Sequence, residues 1–163
     1  MKNIFLVFLV LSTVSLMATD YARQRAHDQL RTAMTQLENN CRDSYHKIKG
    51  TISQANEFKS KIMKLRSKVN DYNGLPSSIK SNLNNAKNRI SWFLDASYSY
   101  KRSMDYCNSW HPRSMFSMED MYKDYQHIGN KVQEATNEYQ KKSKYYSEAI
   151  NYYNKALDTI RKQ

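Results

Sequence analysis

The chain has 163 residues, a formal net charge of +11, and only three glycines and two prolines. This length corresponds to about one domain. So few turn-forming residues argue against a sheet-rich fold with many tight turns. The basic composition favours anionic partners, namely glycosaminoglycan, nucleic acid, acidic lipid or an acidic protein face, although it also serves simple solubility.

The first residues have the features of a secretory signal peptide. Lys2 supplies a positive charge, an apolar run follows over 4–16, and the small Ala18 suits cleavage. The run is shorter than the roughly 20 apolar residues that span a bilayer. The alternative is a buried N-terminal helix. We predict a signal peptide over 1–18 and a single helical-bundle domain over 19–163 without a transmembrane segment. The protein is then secreted, or periplasmic if its source is bacterial.

Residues 20–72 are predicted to form one long amphipathic helix. Gly50, with the capping box of Thr51 and Gln54, is one place where the helix could restart, and Asn39 is a second weak point. The apolar stripe passes through Gly50 without a change of phase, so we predict continuity there and allow a kink near Asn39. The stripe occupies positions 26, 30, 33, 37, 41, 45, 48, 52, 55, 58, 62, 65 and 69. Steps of three or four residues are typical of a coiled-coil-like bundle.

A turn at Asn73-Gly74, followed by Pro76, ends the first helix, and Ser77 is predicted to cap a second helix over 77–110. Pro112 bars that helix from continuing, and a capping box of Ser117 with Asp120 begins a third helix over 118–161. The second stripe reads Ile79, Leu83, Ala86, Ile90, Phe93, Ser97, Tyr100, Met104 and Cys107.

The two cysteines lie at equal distances from Gly74, and each is on the apolar stripe of its helix. Antiparallel packing of the two helices therefore brings Cys41 opposite Cys107. Two cysteines in an exported chain typically form one structural disulfide. We predict this bridge in preference to a thiol–imidazole pair of Cys107 with His111. The predicted fold is all-α, an antiparallel bundle of three long helices stapled by one disulfide, with four helices if the first breaks near Asn39.

The connection after the second helix has the composition of a protein-binding hot spot. Its partner-binding candidates are Trp110, His111, Arg113, Met115 and Phe116. The alternative is that the large apolar side chains close the open end of the bundle. Tyr145 and Tyr152, seven residues apart, are candidates for an outer aromatic row, although tyrosine is also an ordinary boundary residue.

Basic residues concentrate toward the Gly74 end of the predicted bundle. If the second connection reverses near residue 113, the third helix lies beside the first at an offset of about 79 positions, and three basic groups share one level. These polyanion-binding candidates, the basic girdle, are Lys59, Lys61, Lys64, Arg66, Lys68, Lys80, Lys87, Arg89, Lys141, Lys142 and Lys144. A concentrated girdle would bind polyanions such as heparin in a salt-dependent way. The alternative is a solvated charged face.

The same alignment leaves residues 20–39 without a partner in the third helix. Their thin apolar stripe must be covered in some other way. The segment is expected to fold back as a fourth helix, to pair with a second copy to form a dimer, or to stay exposed for a partner.

Nothing in the sequence argues for catalysis, a cofactor or a metal. The histidines at 27, 46, 111 and 127 have no zinc-ligand spacing, and the chain lacks a phosphate-binding loop and a nucleophile elbow. We predict a non-enzymatic effector that engages another protein, such as a host or defence factor, as small helical proteins of saliva or venom do. The alternatives are polyanion binding through the basic girdle, a helical carrier of a small apolar ligand, and a periplasmic holdase.

Overall fold

The computed structural model describes residues 20–72, 74–110 and 117–163. These residues form three α-helices without a strand: α1 (Asp20–Asn70), α2 (Ser77–Ser109) and α3 (Met118–Arg161). The predicted all-α bundle of three long helices is confirmed. The predicted signal peptide, Asn73 of the first turn and residues 111–116 lie outside the described residues.

α1 is one helix through both positions at which an interruption was considered. Gly50 lies within it, and the Asn39 side chain accepts a hydrogen bond from Arg42 at 2.7 Å, one turn further along. The break near Asn39 that would create a fourth helix does not occur. The physical reason is packing, because Leu30 and Met34, upstream of Asn39, are buried against α3.

Two of the three residues predicted to end or cap a helix act as expected. Gly74 has a φ of 99°, in the left-handed region that favours glycine. The Ser117 hydroxyl accepts a hydrogen bond from the Asp120 backbone N–H at 3.1 Å and donates one to the Asp120 carboxylate at 2.7 Å. The predicted Ser77 cap is wrong, because Pro76 occupies the N-cap position without a side-chain hydrogen bond and Ser77 already belongs to the first turn.

The predicted disulfide joins α1 to α2. Cys41 and Cys107 are bonded with their Cα atoms 6.0 Å apart, and both are buried. Nearer the turn, Arg66 Nε donates to Asn84 Oδ1 at 2.8 Å. The residue numbers of both facing pairs sum to about 150, as antiparallel helices joined at Gly74 require. The predicted alignment of the first two helices is confirmed.

α2 is the central helix, since it packs closely against both α1 and α3, which approach each other more sparsely. Its buried surface is accordingly wider than the predicted stripe and includes Leu94 and Ala96. Ser97, the polar exception in that stripe, is fully buried, and its hydroxyl donates to the Phe93 carbonyl at 2.8 Å. The buried hydroxyl therefore has a hydrogen-bond partner, and its burial carries no penalty for an unsatisfied polar group.

α3 is placed differently along α1 from the prediction. Met121 and Tyr125 pack in one cluster with Leu30, and the Phe58 and Tyr146 rings lie 6.0 Å apart. Facing positions thus differ by about 90 rather than 79. The first turns of α3 extend beyond the end of α2 and cover the N-terminal part of α1. The prediction that residues 20–39 lack a partner in the third helix is wrong. The apolar stripe of this segment is covered by α3, which removes the basis for a dimer contact through it.

Leu30→Ala tests this placement of α3. Leu30 is 2% exposed among Met121 and Tyr125, so its truncation should leave a cavity and lower the free energy of unfolding by about 2 kcal/mol. Urea denaturation followed by circular dichroism measures the change. Gln29→Ala, at the exposed neighbouring position, is the control. An unchanged unfolding midpoint for Leu30→Ala would contradict the packing described here.

Candidate functional site

The basic run of α1 divides between two sides of the helix. Lys59 and Arg66, seven residues apart, share the side that faces α2, as the hydrogen bond from Arg66 to Asn84 shows. Both are half-buried. The other three members of the run are exposed and point away from α2: Lys61, Lys64 and Lys68.

Lys80 and Lys87 of α2 share a helical face with Asn84, because they lie four residues before it and three after it. They therefore face the same outer groove as Lys59 and Arg66. We call this surface the α1–α2 groove, lined by Lys59, Met63, Arg66 and Asn70 on α1 and by Lys80, Asn84, Lys87 and Ser91 on α2. The structure thus places four of the predicted candidates along the same groove.

Arg89 belongs to a different surface, on the α3 side of α2. Its Nε atom lies 3.0 Å from Glu148 Oε2, and its guanidinium carbon lies 4.8 Å from the Trp92 ring centroid and 5.1 Å from that of Tyr145. We call these four residues the α2–α3 patch. Arg89 is therefore engaged by a carboxylate and two aromatic rings, and it does not join the other girdle cations.

The three lysines on α3 do not complete a girdle at one level. With the observed offset, Lys141 and Lys144 lie about 16 Å further from the Gly74 turn than the prediction placed them. Lys142 forms an ion pair with Glu138 at 2.5 Å. Hydrogen bonding within that pair, and then its charge attraction, raises the pKa of Lys142 and lowers the pKa of Glu138. The single-level arrangement failed because it depended on the wrong reversal point.

The segregation of charge toward the Gly74 end nevertheless persists in the observed arrangement. Residues 51–97 and 141–163, which occupy that half of the bundle, carry 14 basic and five acidic side chains. The described residues of the other half, 20–50, 98–110 and 117–140, carry 10 basic and 10 acidic side chains. The net charge of the described residues therefore lies in one half, even though the basic residues form separate surfaces there.

Of the partner-binding candidates, only Trp110 falls within the described residues. It is half-buried and packs against two core clusters, one containing Leu30 and Met121 and the other containing the disulfide. This position supports the interpretation that Trp110 helps to close the end of the bundle. The remaining candidates lie outside the described residues: His111, Arg113, Met115 and Phe116.

The α2–α3 patch is the feature that the sequence prediction missed. Trp92 is 47% exposed, and its ring centroid lies 5.4 Å from that of Tyr145. Arg89 and Trp92 are three residues apart on α2, so their proximity could have been read from the sequence. Their contact with Tyr145 could not, because the predicted offset of α3 was wrong. Tyr145 and Tyr152 are half-buried and pack against the core, so both are boundary residues.

The packing of two tyrosine rings between α2 and α3 leads us to expect a loss of stability at high pH. The Tyr100 and Tyr139 rings stack with centroids 4.9 Å apart, and burial, followed by the nearby Tyr100, raises the pKa of Tyr139. The folded state therefore holds a proton that the unfolded chain releases, and stability falls as the pH rises above about 10. Between pH 8 and 11, the midpoint temperature of thermal unfolding should fall less in Tyr139→Phe than in the wild type. Identical pH profiles for the two proteins would contradict this assignment.

The described residues hold no group of three or more histidine, cysteine, aspartate or glutamate side chains that is placed to bind a metal ion. None of the three helices is both long enough and apolar enough to cross a membrane. No family model, curated protein or solved structure matches the chain.

Proposed function

We propose that this protein is a secreted, non-enzymatic binding protein that recognises a polyanion through the basic half of its bundle. The observation that carries the proposal is the concentration of 14 basic against five acidic residues at the Gly74 end. A focused positive potential attracts polyanions and raises their rate of association.

The cations of this half are largely available for a ligand. Within the described residues of that half, ion pairs occupy only three of them, Arg89, Lys142 and Arg161. The helices that carry the others are long, and the disulfide joins two of them. Such a scaffold fixes the backbone positions of these cations before a ligand binds, so little backbone entropy is lost on binding, which favours affinity.

Chromatography of the predicted mature chain (19–163) on immobilised heparin tests the proposal. We expect elution at a higher NaCl concentration from heparin than from a sulfopropyl resin, because an arranged set of cations releases more counterions from a polymeric ligand. A basic protein of similar net charge is run on both resins as the control, because it shows the elution expected from charge alone. Elution at equal or lower salt from heparin would contradict the proposal.

Contact with a partner protein is the second candidate function, and the α2–α3 patch favours it. An exposed tryptophan beside an arginine is the composition of interface hot spots. A protein captured from the natural surroundings by the wild-type chain should be lost with Trp92→Ala but retained with Tyr106→Ala, which alters an equally exposed aromatic residue that also lies beside a cation. Equal capture by both variants would contradict a role for the patch.

A further inference from the structure

We infer that the α1–α2 groove is the binding site for a linear sulfated polysaccharide. This inference deepens the proposed function and rests on it. It assigns the ligand to one surface and to one chemical class, whereas the proposal requires only that the basic half binds polyanions.

The groove presents cations from both of its walls. Lys59 and Arg66 stand on α1, and Lys80 and Lys87 stand on α2. The section of α1 from Lys59 to Asn70 is about 16 Å long, so the cations are spread along the groove rather than clustered at a point. Lys59, Arg66 and Lys87 are half-buried, as long side chains are when their stems pack along a groove and their charged ends reach water. A linear polymer with repeated charges matches this distribution.

Acidic side chains are kept out of this section. α2 has no aspartate or glutamate between Ser77 and Leu94. On α1, Glu57 is two residues from Lys59 and therefore lies on nearly the opposite face, since successive residues are about 100° apart. Within the described residues, none of the four groove cations forms an ion pair. The positive charge of the groove is consequently available to an anion.

Arg66 is oriented for such a ligand by the neighbouring helix. Its Nε donates to Asn84 Oδ1 at 2.8 Å, which uses one of its five N–H bonds and holds the planar guanidinium across the groove. The two terminal nitrogens remain as a paired donor of the kind that binds the oxygens of a sulfate. The Asn84 Nδ2 group, which this hydrogen bond does not use, can donate to a sugar hydroxyl.

The lining favours a polysaccharide over a single-stranded nucleic acid. None of the eight lining residues is aromatic, whereas proteins that bind single strands stack successive bases on aromatic rings. Tyr98 lies beyond this section of α2, and its hydroxyl accepts a hydrogen bond from Asn56. The uncharged polar members, Asn70, Asn84 and Ser91, offer hydrogen bonds suited to sugar hydroxyls. A sulfated polysaccharide supplies both anionic groups and several hydroxyls in each repeat, which matches this mixture of cations and uncharged polar groups.

Two charge-matched triple variants test the assignment. Lys59→Gln/Lys80→Gln/Lys87→Gln removes three groove lysines, and Lys61→Gln/Lys64→Gln/Lys68→Gln removes three lysines that point away from α2. Both keep Arg66 and its hydrogen bond. Calorimetry with a heparin oligosaccharide at fixed salt should show an affinity loss of about tenfold or more for the groove variant and about threefold or less for the control.

A third variant tests whether positive charge at these positions is what the ligand requires. Lys59→Arg/Lys80→Arg/Lys87→Arg keeps the charges and should bind within about threefold of the wild type. Circular dichroism of all three variants should show the wild-type helical content. Equal losses in the two glutamine variants, or loss of binding in the arginine variant, would overturn the groove assignment while leaving polyanion binding in place. Absence of heparin binding by the wild type would instead overturn the proposed function. Tighter, lysine-dependent binding of a single-stranded oligonucleotide would overturn the polysaccharide assignment alone.

Discussion

Replacing Cys41 and Cys107 with alanine is expected to lower the free energy of unfolding by about 4 kcal/mol. The bridge links residues 66 positions apart, so it removes many conformations from the unfolded chain. Both cysteines are buried, and alanine avoids placing an unsatisfied hydroxyl there. Because the other three core clusters contain neither cysteine, the variant should stay helical at room temperature.

Thermal and urea denaturation measure this effect, and the midpoint temperature should fall by about 10 °C. Wild-type protein reduced with dithiothreitol is the matched control, since it loses the same crosslink without a change of sequence. The two samples should unfold at similar midpoints. A double variant as stable as the oxidised wild type would show that the bridge contributes no stability.

Phe93→Ala is expected to cost about 4 kcal/mol of unfolding free energy. Phe93 is 3% exposed in the central cluster, where its ring centroid lies 5.1 Å from that of Tyr146 and 6.1 Å from that of Tyr139. Truncation removes contacts with both α3 rings and leaves a cavity between the two helices. Urea denaturation under the same conditions measures the loss.

Trp92→Ala is the matched control for that substitution. Trp92 is adjacent in sequence and also aromatic, but it is 47% exposed, and its ring interactions within the described residues are with the half-buried Arg89 and Tyr145. Its loss should cost about 1 kcal/mol. Equal destabilisation by the two variants would mean that α2 does not have the orientation described here.

The sequence was sufficient to predict the helices and the alignment of the first two. Helix ends depend on local residues such as Gly74, Pro76 and Ser117, and the buried faces follow from steps of three and four. The α1–α2 alignment follows because a short turn leaves little freedom in where the chain reverses. Cys41 and Cys107 then had only one way to meet.

The placement of α3 required information that local patterns do not contain. The connection after α2 is longer, so the reversal point depends on which tertiary contacts are made. Met121 and Tyr125 cover Leu30, and this contact shifts the whole helix. The error spread to the candidate site, since the pairing of Arg89 with Glu148 and Tyr145 depends on the same offset. The α1–α2 groove could be predicted from the sequence only in part. Lys59 and Arg66 share a face in any helix, whereas the hydrogen bond from Arg66 to Asn84 is a tertiary contact.

The position of the disulfide has a consequence for local opening of the fold. The covalent loop contains α2 and the second half of α1, whereas α3 lies outside it and is retained by packing and by its connection. Partial unfolding should therefore begin with detachment of α3, and its backbone amides should exchange with deuterium faster than those of α1 and α2. Both walls of the α1–α2 groove belong to the helices that stay joined, so a ligand held there would not have to dissociate when α3 opens.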